Sequence, residues 1–413
     1  MNRITPAVPR GRPEDRGIIR TGDTMDFQLS EEQGLFRDSV HRFAERHLAE
    51  GALKRAHEPG FPFDAARAIA DAGLMGITLP EEDGGQGGTL MDSIIAIEQV
   101  ALVDPRAADV VQQGNFGAIR TLAEYATPDQ KARYLPSLLK GETIIGLGMT
   151  EADAGSAVTD LTTRAEPDGD GWRITGGKVF TSHSAEADLF LVYVRFGPGV
   201  DGIGSVLLER GQDGFAFGQP SGYMNGEQWC ALYFDKVRVD PGNVLLGPGG
   251  FKKQIAGFNA ERLGNAARAR ALGQFAFEAA REHALTRSQF GRPLCEFQGL
   301  QWKFADALLA LEAAQLLLYR AAVKADRGLP SAQDTALAKL MCNKAGFEAA
   351  HEAVQILGGT GYCEEHLVEY CFRKTRGWMI AGGSMEMMRN RIAESIFDRR
   401  FSQRPPRAAG AAR

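Results

Sequence analysis

Two stretches far apart in the chain carry the residue types best suited to moving a proton. Gly257-Phe258-Asn259-Ala260-Glu261-Arg262-Leu263-Gly264 sets a carboxylate beside a guanidinium, at what reads as the entry of a long helix. Ala381-Gly382-Gly383-Ser384-Met385-Glu386-Met387-Met388-Arg389 places a glycine turn, with bare backbone N–H groups, before another helical pattern. A carboxylate whose pKa is raised by burial is a general base, and backbone N–H groups stabilise charge growing on an oxygen. The same glutamate in a first helical turn would also complement the helix dipole and cap free N–H groups, which is the ordinary reason for a residue of this kind.

The elements that must position these residues come in three blocks. Ser30-Glu31-Glu32-Gln33 has capping-box form and leads into Phe36, Val40 and Phe43 at helical spacing. Thr127-Pro128-Asp129-Gln130 is a second such start, and helices are expected up to about residue 145. Leu79 to Gly88 interrupts them with a glycine-rich loop. From about 146 the period falls to two: Asp168-Gly169-Asp170-Gly171 is a hairpin signal, and Leu189 to Val194, Ser205 to Leu208, Ala231 to Phe234 and Val237 to Val239 read as strands. After Gly250 helices return, with patterns after Glu261, from Phe304 to Ala322, over Ala332 to Ile356 and over Met387 to Phe397, enough for a bundle. The expected division is a disordered leader (1–24), a helical domain (25–145), a β domain (146–247), a helical bundle (248–400) and a disordered tail (401–413).

Composition narrows the functional classes. The 413 residues are 44% hydrophobic and 24% charged, ordinary for a globular chain, and a net charge of −5 supplies no basic field for nucleic acid. No run approaches the ~20 apolar residues of a membrane span. Five cysteines without Cys-x-x-Cys spacing read as reduced thiols, which points to the cytoplasm. No metal-ligand pattern is present, and the Arg- and Pro-rich start is no secretory signal, with Met25 an alternative start of translation.

Four further fragments, in order, complete a pattern that resembles the acyl-CoA dehydrogenase family from about Met25 to Arg399. Met149-Thr150-Glu151-Ala152-Asp153-Ala154-Gly155-Ser156 resembles its first signature, in which Met149, Thr150, Gly155 and Ser156 would meet the flavin and Ser156 would also face the CoA arm. Lys178-Val179-Phe180-Thr181-Ser182 resembles the strand whose aromatic, Phe180, covers the flavin and whose hydroxyl, Ser182, reaches N5. Arg287-Ser288-Gln289-Phe290-Gly291 with Gln298 resembles the segment that contacts the FAD of a neighbouring subunit, and Gln355 to Tyr362, through Gln355, Gly358 and Gly359, the turn at the pyrophosphate. Ser384 and Glu386 resemble further FAD contacts, and Phe258, Asn259, Arg262 and Gly383 contacts to the substrate.

The resemblance implies an α+β fold: an N-terminal helical domain, a middle β-barrel or sandwich domain, and a C-terminal four-helix bundle. It implies FAD, a homotetramer built as a dimer of dimers, an acyl-CoA substrate and an electron-transfer flavoprotein as partner. The implied reaction passes an α-proton to a carboxylate and a β-hydride to the flavin. Many family members carry that carboxylate at the position of Gly382, where this chain has none. Isovaleryl- and long-chain acyl-CoA dehydrogenases carry it at the position of Glu261, with a small residue at the other place, and this chain is similar to them. Gly382 then keeps its N–H for the thioester oxygen, and Gly382→Glu is expected to restore some activity when Glu261 is disabled. Three rival readings remain. Lys324-Ala325-Asp326-Arg327-Gly328 with Ala381 to Met387 also resembles crotonobetainyl-CoA reductase, another branch resembles sulfinopropionyl-CoA desulfinase, and the absent side chain at 382 is compatible with a non-catalytic acyl-CoA-binding flavoprotein.

Overall fold

The computed structural model describes residues 28–325 and 329–403. The expectations for residues 1–24 and Met25, for the tail from 404 onward and for Asp326, Arg327 and Gly328 lie outside the described residues.

The first block is helical: α1 (Glu31–His47), α2 (Ala52–His57), α3 (Phe63–Asp71), α4 (Leu90–Ala101), α5 (Ala107–Asn115), α6 (Ala118–Tyr125) and α7 (Pro128–Leu139). Both start signals act locally as read. The Ser30 hydroxyl accepts from the Gln33 N–H while the Gln33 amide oxygen accepts from the Ser30 N–H, each at 3.1 Å, and Thr127 and Gln130 repeat the exchange at α7. The glycine-rich loop folds back on itself: a Cβ on Gly85 would lie 2.3 Å from the Leu79 carbonyl oxygen, so only glycine fits there.

The second block is a sheet of β1 (Ile145–Gly148), β2 (Arg164–Asp168), β3 (Gly171–Lys178), β4 (Leu189–Arg195), β5 (Ile203–Glu209), β6 (Phe215–Phe217), β9 (Leu232–Val239) and β10 (Val244–Leu246), with the small pair β7 (Ser221–Gly222) and β8 (Gln228–Trp229) beside it. Its order is β10-β5-β4-β2-β3-β9-β6, and β1 runs parallel to β4. The Asp168 to Gly171 turn joins β2 to β3 as an antiparallel hairpin. Strands β4 and β5 are buried over nearly their whole length, which explains their unbroken apolar runs.

The third block holds α8 (Phe251–Thr286), a hairpin of β11 (Ser288–Gln289) and β12 (Arg292–Pro293), α9 (Gln298–Val323), α10 (Ala332–Leu357), the single turn α11 (Gly359–Tyr362), α12 (Leu367–Trp378) and α13 (Met385–Phe397). Helices α8 and α10 touch backbone to backbone, since a Cβ on Gly346 would lie 1.9 Å from the Ala269 carbonyl oxygen. Two expectations need correction. Helix α8 starts at Phe251, ten residues before Glu261, so Glu261 lies inside the helix and caps nothing. The helix runs through Gly257 because a glycine with open space around it costs a helix only about 1 kcal/mol. Helix α12 went unread, although Val368, Cys371 and Thr375 bury one face at helical spacing.

Candidate active site

Helix α8 carries Glu261 to the contact between the N-terminal helices and the bundle. Gln112 of α5 donates from Nε2 to both carboxylate oxygens at 2.8 Å, and Asn265, one turn along α8, donates from Nδ2 to Oε1 at 3.3 Å. On the other side Gly117 leaves just enough room: with φ +67 and no side chain it avoids a Cβ that would lie 2.9 Å from Oε2. Burial pushes the Glu261 carboxyl above its usual range, opposed by the Arg268 charge, the Gln112 bond, the Lys339 charge and the Asn265 bond. The result is a carboxylate held in one orientation with raised proton affinity, as a general base requires.

The turn at 378–383 faces the same carboxylate from the bundle. Arg262 donates from Nε to the Gly382 carbonyl at 3.0 Å and from Nη1 to the Asn259 amide oxygen at 3.0 Å. Arg262 therefore ties the two chemistry-bearing stretches together. Burial, with the Arg391 charge, pushes it down to about 10. Lys339 of α10, 1% exposed, donates to the carbonyls of Ala381 at 2.8 Å and Trp378 at 3.2 Å. Gly382 has φ +69, and a Cβ there would sit 2.7 Å from the Asn265 Nδ2, which explains glycine at this place. Among the described residues the N–H groups of Gly382 and Gly383 meet no protein acceptor. Asn259 and Gly383 join this group, and Phe258 is buried in the core beside Arg262. Ser384 caps α13, and Glu386 is exposed in its first turn, paired with Arg389 at 3.3 Å.

Behind Glu261 lies a buried charge network that sequence reading missed. Arg268 donates to Asn265 at 2.7 Å and bonds Asp109; Lys374 of α12 bonds Asp109 and Glu227; Arg106 reaches Glu227 at 2.6 Å and Asp109 at 3.0 Å. Burial would raise the Asp109 carboxyl, but Lys374, Arg268 and Arg106 together hold it well below the usual range. Burial, reinforced by Arg106, pushes His183 down to about 3 and keeps it neutral. The only local trace was Arg268 and Arg270 amid alanines on a helix buried all round.

A second group of expected residues lies on the sheet. Lys178 joins the two motifs there, donating to Glu151 at 2.7 Å and to the Met149 carbonyl at 3.3 Å, while Glu151 accepts from the N–H groups of Thr162 and Thr163. Lys178 pulls the Glu151 carboxyl down to about 2 against its burial. Met149 and Thr150 are half-buried; Gly155, Ser156, Phe180 and Ser182 are exposed beside them. Phe180 stands at φ +57 with 58% of its surface bare, its ring 4.6 Å from that of Trp229. A non-glycine residue held in the left-handed region carries backbone strain of about 1–3 kcal/mol, of the kind that gathers at ligand sites. The bare ring, the Ser182 and Thr150 hydroxyls and the open backbone at Gly155 suit a flat, hydrogen-bonding heteroaromatic group such as a flavin.

The third group lies at the other end of the bundle. The Lys303–Glu352 ion pair ties the start of α9 to the end of α10, so Arg287, Phe290 and Gln298 share an end with Gln355, Gly358 and Gly359. All six are exposed, Phe290 by 95%, and a Cβ on Gly358 or Gly359 would meet nothing within 4 Å. Glu261 lies 26 residues before Arg287, toward the other end of α8.

A helical block, a mixed sheet and a helical bundle, with a buried carboxylate between the first and the third and an open aromatic platform on the second, make up a chain whose family models and relatives are those of oxidoreductases acting on acyl-CoA. The chain belongs to the acyl-CoA dehydrogenase family. The family's N-terminal domain matches residues 30–142, its middle domain 146–237 and its C-terminal domain 248–397. The short-chain-specific acyl-CoA dehydrogenase of Clostridium acetobutylicum is 33% identical over 90% of this chain and all of its own length. A 3-sulfinopropanoyl-CoA desulfinase of Paraburkholderia xenovorans is 31% identical over 92% of this chain and 99% of its own. The structure of butyryl-CoA dehydrogenase from Megasphaera elsdenii superposes with a TM-score of 0.84 at 31% identity, covering 90% of this chain and 100% of that one. No helix among the described residues is long and apolar enough to cross a membrane.

Proposed function

We propose that this protein oxidises an acyl-CoA thioester between its α- and β-carbons, with Glu261 as the base that takes the α-proton. The observation that carries this reading is the carboxylate of Glu261, raised in proton affinity and held by Gln112 and Asn265, opposite a turn whose Gly382 N–H has no protein acceptor. Oε1 receives two donors and Oε2 one, so Oε2 is the freer oxygen to accept the proton. The Gly382 N–H donates to the thioester oxygen as negative charge develops there. Arg262 and Asn259 hold the CoA arm beside the turn.

FAD, when bound, supplies the acceptor for the β-hydride, a role that no side chain fills. Met149, Thr150, Gly155, Ser156, Phe180 and Ser182 would hold its ring system. The exposed group of Arg287, Phe290, Gln298, Gln355, Gly358 and Gly359, with Ser384 and Glu386, suits a cofactor shared between subunits. A homotetramer is further supported by α9, where Trp302, Leu309, Leu316 and Val323 lie exposed at intervals of seven, one apolar stripe along the helix. Electrons leave to an electron-transfer flavoprotein, and the chain functions in the cytoplasm.

The similarity to a desulfinase supports a second reading, carbon–sulfur cleavage of a sulfinoacyl-CoA. Anaerobic titration of the purified yellow enzyme with acyl-CoAs of graded length and with 3-sulfinopropanoyl-CoA separates the two. A dehydrogenase bleaches its flavin with a saturated acyl-CoA alone. No bleaching by any saturated acyl-CoA, together with sulfite release from the sulfinoacyl thioester, would replace this reading with the second.

A further inference from the structure

Lys339 takes no proton in the transfer described above; its charge helps to lower the proton affinity of Glu261, and it is almost fully buried. Among the described residues no carboxylate lies within ion-pair distance of its ammonium group. A buried charge without a counter-charge costs stability, and an apolar residue at this place on α10 would be cheaper. What the ammonium does is hold two main-chain oxygens, those of Ala381 at 2.8 Å and Trp378 at 3.2 Å.

A trans peptide unit is planar, and its C=O and N–H point in opposite directions. The carbonyl of Ala381 and the N–H of Gly382 belong to one such unit. Drawing that oxygen into the bundle with Lys339 turns the Gly382 N–H outward. Arg262 does the same to the next unit by holding the Gly382 oxygen at 3.0 Å, which turns the Gly383 N–H. Asn343 adds a second donor to the Trp378 oxygen. Glycines at 382 and 383, with φ +69 and +101, leave the turn free to adopt this course, and a Cβ at 382 would already lie 3.7 Å from the lysine nitrogen.

We infer that Lys339 is a positioning residue which aims the Gly382 N–H at the thioester oxygen by anchoring the Ala381 carbonyl on the far side of the same peptide plane. This rests on the reading of Gly382 as an oxyanion donor. Without the anchor the peptide flips or wobbles, the donor loses its direction, and the enolate charge loses stabilisation while the CoA arm still binds.

The test uses the FAD-loaded enzyme and but-2-enoyl-CoA carrying 13C at the thioester carbonyl, read by infrared difference spectroscopy. In the wild type, binding lowers the carbonyl stretching frequency from its value in solution. In Lys339→Met the band returns most of the way to the solution value, and the flavin reduction rate at saturating acyl-CoA falls by about tenfold or more with little change in KM. Lys339→Gln, a neutral donor able to hold one of the two carbonyls, gives an intermediate band, and it decides the matter if the methionine variant loses its flavin. A lowered wild-type band that both variants keep overturns the role of Lys339 and leaves the Gly382 reading intact. A wild-type band that binding does not lower overturns the Gly382 reading itself, and the inference with it.

Discussion

Gln112 lies 149 residues before Glu261 in the chain, yet its amide nitrogen stands 2.8 Å from both oxygens of that carboxylate. The contact crosses from the N-terminal helices to the bundle. It sets the orientation of the base and opposes the effect of burial on its pKa.

Replacing Gln112 by Leu keeps volume and removes that donor. A hydrogen bond to a charged group is worth roughly 1.5–3 kcal/mol, or about one to two pKa units at the acceptor. The base must be ionised to work, and the surrounding Arg268, Lys339 and Asn265 remain. The acid limb of the pH profile for flavin reduction is therefore expected to move to higher pH, measured by stopped-flow reduction across pH; a limb that stays in place would show that Gln112 does not bear on the base.

Glu261→Gln retains size and removes the proton acceptor. Flavin reduction is expected to fall by at least ~10²-fold, the usual cost of losing a general base, with FAD content and acyl-CoA binding retained. Undiminished reduction by the same acyl-CoA would place the base elsewhere.

Introducing Glu at position 382 is expected to give no rescue in that background, contrary to what sequence resemblance suggests. At φ +69 a side chain costs about 1–2 kcal/mol, and its Cβ would press on Asn265 at 2.7 Å. Gly117→Ala disables the site from the other side, because its Cβ would displace Oε2. Single-turnover reduction of both variants checks the pair.

Burial, helped by the Arg262 charge, pushes Lys339 from 10.5 down to about 7. Between those values the unfolded chain holds a proton that the folded chain has released, so this residue makes stability rise with pH through that window. Urea unfolding of wild type and Lys339→Met, compared from pH 7 to 10, is expected to show the wild type gaining stability relative to the variant.

Leu309→Glu puts charge on the exposed stripe of α9, and Arg287→Ala alters the exposed end of the bundle. The first is expected to lower the mass in solution, and the second to lower flavin occupancy as well. Light scattering and the flavin-to-protein absorbance ratio read both; unchanged values in the two variants would count against a shared site.

What the sequence determined by itself is whatever depends on neighbours a few residues apart. Ser30 with Gln33 and Thr127 with Gln130 start helices because cap and partner lie three positions apart, and Asp168 to Gly171 turns because its own backbone allows it. The order of helices, sheet and bundle follows from changes of period along the chain. Glu261, Gly382 and Arg262 were legible as candidates, but their surroundings were not. Tertiary structure alone decided that Glu261 sits inside α8 and answers to Gln112, that Gly117 makes room for it, and that Lys339 anchors Ala381. It also decided that Asp109, Arg268, Lys374 and Glu227 meet in one buried network. Such contacts have no spacing in the chain; they exist only once helices from separate blocks pack, and packing is what strips the water away and gives each charge its partner.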